Sequence, residues 1–144
     1  MTAQHLHRLR RARLQPAGAL FTRGAGATVT DDDGTIVITI SRQVEPASTE
    51  VGADDSLTVV AVDGEIDYDT ARLVQLALCR ALDDRTAVCC DLSRVTFFGA
   101  AAAGTLLCAQ QHAAEVGQRF FLRGVDGISG RVLNIVDPES TVAR

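Results

Sequence analysis

Gly64-Glu65-Ile66-Asp67, followed by Thr70-Ala71, and Asp91-Leu92-Ser93-Arg94-Val95-Thr96-Phe97 are the two stretches on which the fold of this chain turns. One helix and one strand fit between them. Asp69-Thr70 offers a helix N-cap. Ala71, Val74, Leu78 and Leu82 recur at helical spacing, which predicts an amphipathic helix over residues 70–82, ended by Asp83-Asp84. Ala87 to Leu92 is apolar on both faces: Val88, Cys90 and Leu92 on one, Ala87 and Cys89 on the other. That suits a central strand covered by helices. Ser93 to Gly99 is expected to be a connection.

Upstream, Thr35-Ile36-Val37-Ile38-Thr39-Ile40 is β-branched throughout and predicts a strand. Residues 43–55, with Pro46, Gly52 and Asp54-Asp55, predict a loop. Leu57 to Val62 predicts a second strand, closed by Asp63-Gly64. Downstream, four alanines open a helix over Ala100 to Val116, with Gly117 as its C-cap. Arg119 to Leu122 predicts a fourth strand. Gly127 to Val136 carries Ile128, Val132 and Ile135 at helical spacing and stops before Pro138. This order implies the α/β class: a mixed sheet of about four strands with about three helices packed against it, parallel in its C-terminal half. Leu73 and Leu76 fall off the first helix's apolar stripe, which leaves them as a candidate contact patch or as residues under a wider interface.

Residues 1–30 carry five arginines and no acidic residue, interrupted by Pro16, Gly18, Gly24 and Gly26. They read as a mobile basic tail, a partner-induced short helix being the alternative. Asp31-Asp32-Asp33-Gly34 looks like the turn that closes it, so the expected boundaries are a tail over 1–33, a domain over 34–137 and a short C-terminal tail over 138–144.

The chain has 144 residues, enough for one domain, and 47% of them are hydrophobic. Aromatic residues make up only 4%, with no Trp, which argues against nucleic-acid stacking platforms and carbohydrate clefts. A net charge of −4 disfavours direct nucleic-acid or anionic-membrane contact. All 14 basic residues are Arg, which excludes lysine-based Schiff-base or phosphate chemistry. No apolar run reaches the ~18 residues of a membrane-spanning helix, so no membrane insertion is expected, and no secretory signal is read. Cys79, Cys89, Cys90 and Cys108 form no CxxC or zinc spacing; reduced thiols in a cytosol are expected, and no metal or cofactor.

Together the two opening stretches resemble the STAS domain family, the domain of bacterial anti-sigma factor antagonists (anti-anti-sigma factors). Gly64-Glu65-Ile66-Asp67 is similar to the family's G-E-[LI]-D loop ahead of its first helix. Asp91 to Phe97 is similar to its D-L-S-x-[VL]-x-[FY] strand end. The resemblance spans about residues 35–136. It implies a STAS-like sandwich and a cytoplasmic bacterial protein that is not an enzyme. It would bind an anti-sigma factor of the histidine-kinase-like ATPase type and so regulate sigma-dependent transcription. The family commonly has a further strand and helix, for which residues 137–144 are too short. The expectation is that both are missing, with the N-terminal extension or a homodimer supplying cover. Alternatives within the family are an interaction subunit of a transport complex and a small-molecule or nucleotide-sensing module.

The resemblance places partner contacts on the loop after the second strand and the start of the second helix: Glu65, Asp67, Phe98, Gly99, Ala100, Ala101 and Ala102. The family pattern there is D-S-[ST]-G, and its hydroxyl is phosphorylated to abolish binding. Here Ala101 holds the hydroxyl position and Gly99 the acidic one, so no phosphorylation is expected. Asp67 could bond loop N–H groups, act as a turn carboxylate or meet a partner Arg. Asp91, Ser93 and Thr96 read as turn-stabilising. Cys108 and Cys79 are core fillers or redox candidates, and His112 a surface residue. No constellation supports catalysis.

Overall fold

The apolar runs become strands, and two of these strands continue well past their apolar residues. The computed structural model describes residues 13–15, 26–45, 56–84 and 86–144. Its elements are β1 (Arg13–Gln15), β2 (Gly26–Thr30), β3 (Ile36–Glu45), β4 (Leu57–Ile66), α1 (Ala71–Asp83), β5 (Ala87–Phe98), α2 (Ala100–Val116), β6 (Phe120–Arg123) and α3 (Gly127–Val136). They form one mixed sheet in the order β1-β2-β3-β4-β5-β6. Pairing is antiparallel from β1 to β4 and parallel from β4 to β6. The α/β class and the parallel C-terminal half are as expected.

Among the described residues the strands number six rather than about four, because two of them come from the expected tail. Residues 26–30 pair with β3, and Val29 is only 1% exposed. The reason is legible afterwards: Ala27 and Val29 alternate with threonines, which suits a strand with one face on the core. The remaining tail residues, 1–12 and 16–25, lie outside the described residues. So do residues 46–55 of the expected loop, while 43–45 belong to β3.

The helices pack on one sheet face. Val74, Leu78 and Leu82 of α1, Leu106 and Ala109 of α2, and Leu133 of α3 meet Ile38, Ile40, Val60, Val62, Cys90 and Leu92 in one core. The expected α1 stripe is buried in full, and Leu73 packs at its margin while Leu76 is exposed. Leu57, Val59, Ala87 and Cys89 form a second, smaller cluster with Phe121 on the opposite sheet face, and among the described residues no helix residue joins it. Among the described residues the helices thus cover the central strand from one face. Arg42, at the end of the β3 core face, bonds Asp84 and ties that strand to the end of α1. Gly117 ends α2 in the left-handed conformation, φ 71°, as its C-cap position requires.

The largest departure is in β5, which runs through the expected connection to Phe98. Its register against β4 shifts twice, between Ala61 and Asp63 and between Gly64 and Glu65. Each shift inserts one residue into β5 and reverses which side chains face the core. Leu92 faces the core, then Val95 packs on it, then Phe98 fills it. Strict alternation breaks at each step, so the segment does not look like a strand in sequence.

Residues 137–144 also differ from a simple tail. Val142 is fully buried, and Leu122 donates its N–H to Ala143 at 2.8 Å beside an isolated parallel bridge between Phe121 and Ala143. Asp137 organises this turn by accepting from the N–H groups of Thr141 at 2.9 Å and Val142 at 3.1 Å. Burial alone would raise its carboxyl; those bonds and the Arg144 charge outweigh burial and hold it below the ordinary 3.8.

Two outcomes follow. A chain starting at Asp31 should melt several degrees lower than the full chain, and Val29→Ala should cost about 1.5 kcal/mol at ~0.8 kcal/mol per buried carbon. Equal midpoints in thermal unfolding would show that β2 adds nothing. The depressed Asp137 carboxyl contributes stability that is present above 3.8 and lost as pH falls through its lower folded value. Asp137→Asn should thus be less stable than wild type at neutral pH, with the gap closing in acid. Urea titrations across pH check this; a gap independent of pH would exclude Asp137 as its source.

Candidate functional site

The two opening stretches meet at one end of the sheet. Glu65 pairs with Phe97 and Ile66 with Phe98 in the parallel β4–β5 ladder. Gly99 N–H then donates to the Ile66 carbonyl at 3.2 Å, which seats the start of α2 against the end of β4. Gly64 permits the approach of β3 on the other side. Its φ is +120°, and a Cβ there would lie 2.2 Å from the Val37 carbonyl oxygen.

Asp67 builds the loop between β4 and α1. Its Oδ1 accepts from the N–H groups of Asp69 at 2.9 Å and Thr70 at 3.0 Å. Thr70 Oγ1 in return accepts from Asp67 N–H at 3.0 Å and donates to the Glu65 carbonyl at 2.8 Å. Ala71 N–H bonds the Asp67 carbonyl at 2.9 Å, so helical turns begin at Asp67. The arrangement is a reciprocal capping box. Thr70 stands at the head of α1 as expected, but its side chain bonds back to the loop and makes no cap bond to the helix. Asp67 is 6% exposed, so of its expected roles the loop-bonding one is realised, and it shapes the loop from inside.

The same bend turns Tyr68 outward. It is 83% exposed and is the chain's one tyrosine. Sequence reasoning passed over it; a large aromatic between two turn-forming aspartates was the available signal. Asp69 beside it has one carboxylate oxygen buried with no hydrogen-bond partner. Burial, then the charge of Asp67, pushes its carboxyl up.

The α2 start is small, uncharged and uncapped. Gly99 has extended backbone, with no side-chain cap and no acidic residue in the first turn. The first turn of the helix is therefore a locally positive end. Ala100 is exposed and Ala101 half-exposed, but Ala102 is buried. Phe98 is 2% exposed and belongs to the core; Phe97, half-exposed, takes its place beside Gly99. Phe98 and Ala102 are thereby corrected as surface residues, the first because of the second β5 shift, the second because it lies on the sheet-facing side of α2. Glu65, half-exposed, borders a cleft of about 310 Å³ with Asp31, Gly64 and Thr96.

The other singled-out residues fall elsewhere. Asp91 Oδ1 accepts from Ser93 N–H at 2.9 Å and from its hydroxyl at 2.7 Å, a local turn role as expected. Thr105 is buried and donates to the Ala71 carbonyl at 3.2 Å. Cys108 is exposed and Cys79 half-buried on neighbouring helices, and His112 Nε2 lies 2.7 Å from Asp83 Oδ1. Cys89 and Cys90 are buried, which pushes the Cys90 thiol far up. Among the described residues, no group of three His, Cys, Asp or Glu side chains could hold a metal ion, and no helix is long and apolar enough to cross a membrane.

The family model described as "Mlab, STAS domain" matches residues 49–137. The crystal structure of an anti-sigma factor antagonist from Mycobacterium paratuberculosis is similar with 25% identity and a TM-score of 0.53, over 72% of this chain and 82% of that one. The structure of the anti-sigma factor antagonist SpoIIAA in its unphosphorylated form shares the fold at 16% identity and a TM-score of 0.50, over 67% of this chain and 83% of that one. No curated protein matches the sequence.

Asp67→Ala should strand buried N–H groups and cost about 1–3 kcal/mol, whereas Asp67→Asn keeps an acceptor oxygen and should cost much less. Chemical denaturation of both variants checks this. Equal losses would mean that the carboxylate charge, not the capping bonds, holds the loop.

Proposed function

The chain belongs to the STAS domain family, and on that footing we propose that it is an anti-sigma factor antagonist-type binding protein whose docking is not switched by phosphate at α2. Its partner is an anti-sigma factor of the histidine-kinase-like ATPase type; occupying that partner frees the sigma factor and so regulates transcription. The observation that carries the reading is the Gly99–Ile66 bond, which joins the β4–α1 loop and the start of α2 into one face. Tyr68, Glu65, Phe97, Gly99, Ala100 and Ala101 present that face.

The physics of the face suits docking without a charge switch. Tyrosine gives a large, rigid contact at low entropy cost. Glycine and alanine at the helix start let another backbone approach closely, with no charge to desolvate. In phosphorylatable relatives a phosphate would arrive at this helix end. Here Ala101 has no hydroxyl to receive one, Gly99 has no carboxylate, and the buried Thr105 is inaccessible.

A second reading, an interaction subunit of a transport assembly, draws on the Mlab description of the matching family model. Affinity capture from the native host separates the two: an ATPase of the kinase type supports the first, a permease or its ATPase the second.

Ala101→Asp should fold normally, with isolated stability unchanged or raised by about 0.3–1 kcal/mol at a helix N-terminus. In the complex the same carboxylate would be buried unpaired, and affinity should fall by about tenfold or more. Tyr68→Ala should weaken binding comparably. Titration calorimetry with the captured partner checks both; wild-type affinity in both would place the interface elsewhere. With the kinase and ATP, wild type should take up no phosphate at the α2 start, whereas Gly99→Asp/Ala101→Ser should accept it there. Stoichiometric phosphate on wild-type Ser93 or Thr96 would refute the loss of the switch.

A further inference from the structure

The seam between α1 and α2 holds two thiols that the proposed docking does not use. Two cross-helix bonds tie α1 to α2 along this seam. Thr105 donates to the Ala71 carbonyl at 3.2 Å, and His112 Nε2 meets Asp83 Oδ1 at 2.7 Å. On α2, Thr105, Cys108 and His112 follow at i, i+3 and i+7, so they form one stripe, and Cys108 lies between the two anchored residues. On α1, Cys79 lies between Ala71 and Asp83 and precedes Asp83 by four residues, as Cys108 precedes His112 by four. Stepping back one turn from the Asp83–His112 bond on both helices arrives at the two cysteines.

We propose that Cys79 and Cys108 are a redox pair that closes to a reversible interhelical disulfide on reaction with a hydroperoxide. Cys108 is exposed and is the sulfur an oxidant reaches; Cys79, half-buried, is the resolving thiol. Burial first, then the charge of Asp83 and the neighbouring Cys108, pushes the Cys79 thiol up, so it waits as a thiol rather than a competing thiolate. The chemistry balances as follows. The Cys108 thiolate attacks one peroxide oxygen, the O–O bond breaks, and the departing hydroxide takes a proton to become water. This leaves a sulfenic acid on Cys108. The Cys79 sulfur attacks the Cys108 sulfur, the S–O bond breaks, and hydroxide leaves with the Cys79 proton as a second water. Hydrogen peroxide is reduced and the two thiols are oxidised to one disulfide. A dithiol reductant reverses the bridge. Cys89 and Cys90 take no part, being buried in opposite sheet-face clusters.

The test uses the full chain, reduced and then treated with a small excess of hydrogen peroxide. Expected are the loss of two titratable thiols, a mass lower by two hydrogens, and a peptide map that joins the segments carrying Cys79 and Cys108. The thermal midpoint should rise by several degrees, because the bridge restricts the unfolded chain, and dithiothreitol should restore the original value. Cys79→Ser should stop at the sulfenic acid of Cys108 or beyond, and Cys108→Ser should leave Cys79 reduced. A map that joins any other pair, a dimer linked through Cys108, or oxidation of Cys108 with Cys79 still free in wild type would each overturn the proposal. These readouts do not depend on what the α2 start binds.

Discussion

The parallel pairing of β4 with β5 is the constraint on which the rest of this structure depends. It runs from Leu57–Ala87 to Ile66–Phe98, with two register shifts on the way, and its last rungs bring the two sequence motifs side by side. A parallel pair cannot close with a hairpin and needs a crossover, which α1 supplies. The same rungs set the height at which β5 ends, and hence where α2 begins. The Gly99–Ile66 bond is the final step of that ladder, carried from strand into helix. The loop, the aromatic at the strand end and the helix start therefore share one face for a backbone reason. Their side chains contribute shape, and the ladder contributes position.

Most of the element order was legible because it rests on signals that tertiary context rarely overrides. The α1 stripe, the alanine-rich α2, the αL glycine at 117 and the β-branched run of β3 each point to one structure. What escaped the sequence has specific causes. In β5 two single-residue insertions cancel each other's effect on facing, so Leu92, Val95 and Phe98 all reach the core although their numbers do not share one parity. A reader of alternation sees a strand stop at Leu92 and assigns Phe98 to the surface. In β2 the strand is five residues long and its apolar members are only Ala27 and Val29. Glycine and arginine around it dominate the composition, and a short strand on a sheet flank leaves little else to read.

The candidate site was legible in its location and less so in its membership. Motif spacing found the loop and the helix start, but exposure depends on which way each backbone bond turns. Asp67 and Tyr68 are adjacent and point oppositely, because the capping box pulls the carboxylate under the loop. The bonding of the loop is thus met by the buried residue, while its neighbour stands exposed. Ala101 and Ala102 divide in the same way across the rim of α2.

The electrostatics of this face follow from what is absent at the α2 start and present beneath the loop. A helix beginning with neither cap nor acid keeps its partial positive charge uncompensated by its own side chains. Close by in the chain, Asp69 holds a buried carboxylate oxygen without a bond, and burial together with the charge of Asp67 pushes its carboxyl up. Proteins commonly keep such local costs where the geometry serves something other than stability. Here that geometry is the tight bend between β4 and α1. Relieving Asp69 by relaxing the bend would also dissolve the reciprocal Asp67–Thr70 bonds that start α1, so the cost is held in place by the same turn that aligns the two halves of the face.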